Sequence, residues 1–303
     1  MKGTKQLLEK LPPEIGKEIG QLPHFILKNL EEIRFRTGRP VSVFAAGKEH
    51  LVGESRITTK ILNDIFNLLL NYSVYAYEEE LKNGYISMEG GHRAGVCGRV
   101  VLEDGKVKTM KDISSLNLRQ SREIPGICDP FVSHIWTGRG HVKNTLILSP
   151  PKCGKTTLLR DFIRYFSAAG LKVGVCDERS ELAGMHQGEM SYDLGPCTDV
   201  LDGCPKAQGM IMLIRSMSPD LIVTDEIGRQ EDCRAIEEAL CAGVSLLTSI
   251  HGSSYEDLLN SGIGSLVRQG VFQRILIMGN RPSIGTVQSV RDEKNRILWS
   301  LSC

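Results

Sequence analysis

The sequence has almost no net charge. Its 303 residues carry 37 Lys and Arg against 36 Asp and Glu, a balance of +1 with histidine neutral. Such a chain has no overall field to gather polyanions, which argues against nonspecific binding of nucleic acid or anionic lipid. It also lacks an apolar run long enough to span a bilayer. The Met1 end, MKGTKQLLEKLPPEIG, lacks the apolar core of a secretory signal. The expectation is a soluble, cytosolic protein with no direct membrane insertion, reaching any membrane through partners. There is no C-x-x-C pair among the nine cysteines, and their number is odd. Several, such as Cys176 in KVGVCDE, sit in apolar segments, so buried free thiols are expected. Cys197 and Cys204 have no second pair at ligand spacing, which argues against a zinc site. Internal repeats and low-complexity tracts are missing too. What remains is 41% hydrophobic and 24% charged, as in a globular protein with a sizeable core, and the length suggests two domains.

The most informative stretch is TLILSPPKCGKTT, residues 145–157. An apolar run predicts a short buried strand. A tight loop follows, Ser149, Pro150, Pro151, Lys152, Cys153 and Gly154. Lys155, Thr156 and Thr157 then open a helical pattern, LLRDFIRYF. Strand, glycine-bearing loop, Lys-Thr and helix form a phosphate-binding loop. Its backbone N–H groups and the helix N-terminus attract anions. Lys155 reaches the outer phosphates and the Thr156 hydroxyl is placed for Mg²⁺. The usual first residue is glycine, and here it is Ser149. Serine does not take a positive φ readily, so a different turn is expected at the loop's start.

From residue 143 onward, apolar strands alternate with helices. Strands are expected at 144–148, 172–176, 220–224 and 244–249, with helices near 155–168, 204–217, 230–242 and 255–269. This rhythm predicts an α/β domain with a mostly parallel sheet covered on both faces. Before it, residues 1–30 read as two short helices. EEIRFRTGRPVSVFAA alternates with a period of two, which puts Ile33 and Phe35 on one face and Arg34 and Arg36 on the other. Residues 58–81 carry a helical stripe through Ile61, Leu62, Ile65, Leu68 and Leu69. Residues 83–120 read as strands broken by glycine turns. The expected organisation is a smaller α+β domain over 1–124, then the phosphate-loop domain over 125–303.

Acidic residues complete the chemistry. PDLIVTDEIG places Asp225 and Glu226 at the end of an apolar strand. Asp225 there holds the Mg²⁺ shell with Thr156, and Glu226 orients or deprotonates the attacking water. VCDERSE brings Asp177, Glu178 and Glu181 to another strand end. Three carboxylates repel one another unless a cation or Arg179 sits among them. Glu181 is the second candidate for water activation. His251, after LLTSI, is placed to hydrogen-bond a terminal phosphate, with no general-base role implied. Among the N-terminal arginines, Arg93 and Arg119 are the candidates to reach phosphates as fingers.

Taken together, SPPKCGKTT, DERSE, LIRSMSPDLIVTDEIG and TSIHG resemble, in order, the motifs of the RecA-like ATPases of type II and type IV secretion. GHRAGVCGRV and LNLRQ are similar to the arginine-bearing segment that precedes their ATPase core. EEIRFRTGRPV, DISSLNLRQSRE, DERSELAG and TDVLDGCPKAQGM narrow the resemblance to the stage III sporulation protein AA family of endospore-forming bacteria. YDLGPCTDV departs from that family's usual lead into TDVLDG. The resemblance implies an ATP- and Mg²⁺-dependent homo-oligomer, a hexamer. It would work in the mother-cell cytosol and power a membrane-embedded secretion-like apparatus facing the forespore. A nucleic-acid-dependent ATPase of helicase or loader type is the alternative, and a slow nucleotide-gated scaffold a third reading, because one fold serves all three trades.

Overall fold

The computed structural model describes residues 2–138, 140–186 and 188–301. Contacts divide the chain into two compact units, 1–122 with 184–191, and 123–183 with 192–303. The short 184–191 segment, expected in the second domain, groups with the first unit.

The first unit opens with α1 (Lys2–Glu9), α2 (Pro13–Gly20) and α3 (His24–Lys28). Two helices were expected here; HFILK adds a third behind Pro23, whose ring presets a helical start. The strands are β1 (Leu30–Arg36), β2 (Pro40–Ala45) and β3 (Lys48–Arg56). After α4 (Thr59–Leu69) and α5 (Glu78–Lys82) come β4 (Tyr85–Met88), β5 (His92–Glu103) and β6 (Lys106–Arg119). They form one antiparallel sheet in the order β3-β2-β1-β6-β5-β4. Ile33 and Phe35 are fully buried, as the alternation requires. They pack with Leu62, Ile65 and Leu69 of α4, whose first turn is capped by the Thr58 hydroxyl accepting from Ile61 N–H at 3.2 Å.

The second unit begins with α6 (Asp129–Ile135). Its Phe131, Val132 and Ile135 are buried. Then come β7 (Thr145–Ser149), α7 (Lys155–Ala168), β8 (Val173–Asp177), β9 (Thr198–Asp202), α8 (Lys206–Met217), β10 (Leu221–Thr224) and α9 (Gln230–Cys241). The chain continues through β11 (Ser245–His251), α10 (Tyr255–Leu259), α11 (Gly264–Arg268), β12 (Arg274–Gly279), β13 (Thr286–Asp292) and β14 (Ile297–Ser300). The sheet order is β14-β13-β12-β7-β11-β10-β8-β9. From β12 to β9 every neighbouring pair is parallel, while β13 and β14 add antiparallel.

All residues of β7, β8 and β10 are buried, so both faces of the sheet are covered. Leu146, Leu148, Ile222 and Ile250 pack with Met210, Ile236 and Leu266 from the helices of one face. The expected helix over 255–269 is two short ones. Between them a side chain at Gly262 would meet the Gly228 carbonyl oxygen, and one at Gly264 the Leu259 carbonyl oxygen, so the chain bends where two backbones touch. The described cysteines are free thiols, as expected, but the expected burial holds for Cys128, Cys153 and Cys176 alone; Cys197, Cys204 and Cys233 are half-buried, and Cys97 and Cys241 are exposed. Among the described residues no helix is long and apolar enough to cross a membrane.

Candidate active site

Parallel strands all end on the same edge, and here that edge collects the polar residues. β7 runs into Ser149, which pairs in register with His251 on β11. Ser149 is therefore an extended strand residue, and serine in place of glycine is accommodated without a left-handed backbone. The left-handed residues of the loop are Lys152, φ 61°, and Gly154, φ 82°. The Ser149 hydroxyl donates to the Pro150 carbonyl at 2.8 Å. A Cβ on Gly154 would lie 3.2 Å from the Gly285 Cα, so space and φ both call for glycine there. Pro150, Pro151 and Lys152 form the bend, Cys153 turns inward, and Gly154 hands the chain to α7. Thr157, three residues on, lines a shallow cleft with Arg160, Arg164 and Asp193.

Lys155 is 5% exposed. Burial pulls its ammonium below the usual lysine range, and the Asp225 and Glu226 carboxylates pull it back up. Its Nζ lies 2.9 Å from His251 Nδ1 and 3.9 Å from Glu226 Oε1, while His251 Nε2 lies 2.8 Å from the same carboxylate oxygen. An ammonium only donates, so Nδ1 accepts, and Nε2 carries the proton toward Glu226. This makes a chain of polar contacts from Lys155 through His251 to Glu226. Beside it, the Thr156 hydroxyl donates to Asp225 Oδ2 at 2.7 Å. Glu226 also meets Arg179 Nη1 at 3.2 Å, and its carbonyl accepts from Lys206 at 3.1 Å. Its backbone is left-handed, φ 52°.

The acids after β8 divide their work. Asp177 turns inward and accepts from the N–H groups of Glu181, Leu182 and Ala183 at 2.8–2.9 Å. Burial pushes its carboxyl up to about 6, against the pull of those three donors. Glu178 pairs with Lys206 at 2.6 Å. The expected crowd of three carboxylates is thus relieved by burial and by lysine. Glu181 lines a small cleft together with Arg179, Lys206, Asp225 and Glu226.

A family model, Sporulation stage III, protein AA, matches residues 4–298. The chain belongs to that family. It is 40% identical to Stage III sporulation protein AA of Bacillus subtilis (strain 168), over 97% of this chain and 96% of the relative. Among solved structures it is similar to the Legionella pneumophila ATPase DotB, with a TM-score of 0.58, 18% identity, and 88% of this chain and 76% of that one covered. It is also similar to the pilus retraction motor PilT with bound ADP, with a TM-score of 0.54, 18% identity, and 90% and 77% covered. The family member described here thus shares the RecA-like α/β fold of these two proteins.

Of the residues singled out from sequence, Ser149 to Thr157, Glu181, Asp225, Glu226 and His251 come together in the second unit. Arg93 and Arg119 are in the first, facing each other across β5 and β6. The Arg93 guanidinium stacks over the Tyr85 ring at 3.5 Å, and Arg119 Nε lies 3.7 Å from Glu32. Sequence reading missed Lys206 and Ser249. Lys206 follows Pro205 at the start of α8 inside TDVLDGCPKAQGM, and Ser249 stands in TSIHG, but both stretches marked a resemblance and neither residue was given a chemical part.

Proposed function

We propose that this protein is an Mg²⁺-dependent ATPase motor of the secretion type. The observation that supports this best is the strand-edge cluster of Lys155, Thr156, Asp225, Glu226 and His251. An ammonium, a hydroxyl, two carboxylates and an imidazole meet where a loop with left-handed turns opens a helix. The Thr156 hydroxyl and the Asp225 carboxylate are hard oxygen donors side by side, the kind Mg²⁺ takes. When bound there, the metal would neutralise charge on the phosphates.

The chain's own groups do the rest. Lys155 binds the outer phosphates and gives up its contact with His251 to do so. Glu226 takes the proton of the attacking water, with Glu181 in the adjoining cleft as the alternative. His251 hydrogen-bonds the terminal phosphate by donating its Nε2 proton, the one it otherwise directs at Glu226, and so registers its loss. Arg93 and Arg119 are fingers that stabilise developing phosphate charge, supplied from another domain or another copy of the chain. The family, whose name is a sporulation stage, and the fold together favour a hexamer in the mother-cell cytosol. There it would drive a membrane-embedded secretion-like apparatus toward the forespore. Near-zero net charge speaks against nucleic acid as the moving substrate.

The test is direct. Purified protein should bind ATP with Mg²⁺ and release phosphate, without stimulation by single-stranded DNA or RNA. No affinity for ATP or GTP with Mg²⁺ would end the motor reading. Strong stimulation by nucleic acid, lost with rising salt, would favour the helicase class instead.

A further inference from the structure

β10 and β11 run parallel as far as Thr224 opposite Thr248. Beyond that point the chain leaves the sheet carrying Asp225 and Glu226, and an unpaired exit would leave both acids without a fixed direction. One residue of the neighbouring strand holds the exit in place. Ser249 is completely buried. Its hydroxyl donates to Asp225 Oδ1 and accepts from the Glu226 N–H at 3.1 Å. Its carbonyl accepts from the Ile227 N–H at 2.9 Å. Three successive residues are thus tied to one serine. A serine hydroxyl gives one proton and accepts through its lone pairs, so both side-chain bonds form together. Glu226 is left-handed, a conformation that a residue with a side chain holds only where its surroundings fix it.

We propose that Ser249 is the positioning residue for both acids: it orients the Asp225 carboxylate and fixes the turn that presents Glu226. This rests on the nucleotide-hydrolysis reading above. The two hydroxyls on Asp225 are not equivalent. Thr156, on Oδ2, is a candidate metal ligand, so a metal competes for that bond. Ser249 holds the opposite oxygen, and its bond is compatible with a loaded site. Alanine at 249 frees the carboxylate to rotate and leaves the Glu226 N–H without its acceptor.

The experiment uses the full chain with Ser249→Ala, Ser249→Cys and Ser249→Thr, each checked for folding by thermal melting. A fluorescent ATP analogue is bound with and without Mg²⁺, and phosphate release is measured across a Mg²⁺ titration. Ser249→Ala should raise the Mg²⁺ needed for half-maximal binding by roughly tenfold and lower kcat by roughly tenfold or more, the size expected for a lost hydrogen bond to a charged group. Affinity in excess chelator should stay within about twofold. Cysteine, close in size but a weak donor, should behave like alanine, and threonine, which keeps the hydroxyl, should stay near wild type. Wild-type Mg²⁺ dependence and turnover in folded Ser249→Ala or Ser249→Cys overturns the proposal. If alanine does not fold, the contrast between threonine and cysteine decides, and equal behaviour overturns it. Wild-type protein that neither binds ATP nor responds to Mg²⁺ refutes the nucleotide reading itself, and that result is read without any variant.

Discussion

Neutralising Glu226 should separate binding from turnover. Its carboxylate lies 2.8 Å from His251 Nε2, 3.2 Å from Arg179 Nη1 and 3.9 Å from Lys155 Nζ. Two unit charges at that last distance attract by about 4 kcal/mol at an effective dielectric of 20. The glutamate side chain is 27% exposed, so water reduces this, and a net of about 1 kcal/mol is the sounder figure. Lys155 must leave that partner to serve a phosphate. Glu226→Gln keeps the side chain's size and removes the competition, so ATP should bind about fivefold tighter. The same change removes the acceptor for the water's proton, and turnover should fall by about 10²- to 10⁴-fold. Equilibrium binding of a fluorescent ATP analogue with Mg²⁺, paired with single-turnover phosphate release on the same preparation, reads both effects. Turnover within tenfold of wild type would refute the base assignment and pass it to Glu181. Weakened affinity would refute the argument that Glu226 and the nucleotide compete for Lys155.

Lys155→Ala should weaken ATP binding by about 10- to 100-fold, the worth of one charge-assisted hydrogen bond, and abolish measurable turnover; normal activity would rule out the phosphate-loop assignment. Gly154→Ala combines a φ of 82° with a Cβ 3.2 Å from the Gly285 Cα. It should cost about 1–3 kcal/mol in urea unfolding, and an unchanged midpoint would show that the loop adapts freely. Asp177 tests the pH dependence. Its carboxyl is raised from 3.8 to about 6 in the folded protein, so the folded state holds the proton more tightly. The favourable contribution is complete below 3.8 and is lost as pH rises through 6, a change on the order of 3 kcal/mol. Unfolding curves of Asp177→Asn against wild type from pH 4.5 to 7 should therefore show the difference moving in the variant's favour as pH rises. A constant difference would mean that the three backbone donors keep Asp177 charged throughout.

Much of the second unit was legible because its signals are local. Four of the parallel strands are continuous apolar runs, and the helix after the loop has a clear stripe. β9, β12, β13 and β14 escaped for particular reasons. TDVLD on β9 is partly exposed and mixed in polarity, and β12 to β14 follow one another without the intervening helices that marked the rest. The break between α10 and α11 depends on close approach of Gly262 to residue 228, which no helical pattern records.

The sequence alone determined the strand, glycine-bearing loop and helix of residues 145–168, the acids that follow an apolar strand, and the alternation that makes a parallel sheet. These are set by neighbouring residues, where chain geometry and hydrophobic spacing suffice. Only the tertiary structure decided what those residues meet. His251 joins Lys155 to Glu226 from 96 and 25 positions away, and Lys206 takes Glu178 while Arg179 takes Glu226. Ser249 reaches two acids because β10 leaves the sheet at Thr224 while parallel β11 runs on beside it. Such contacts follow from sheet order and register, and those are fixed by burying apolar strands against one another across the whole unit.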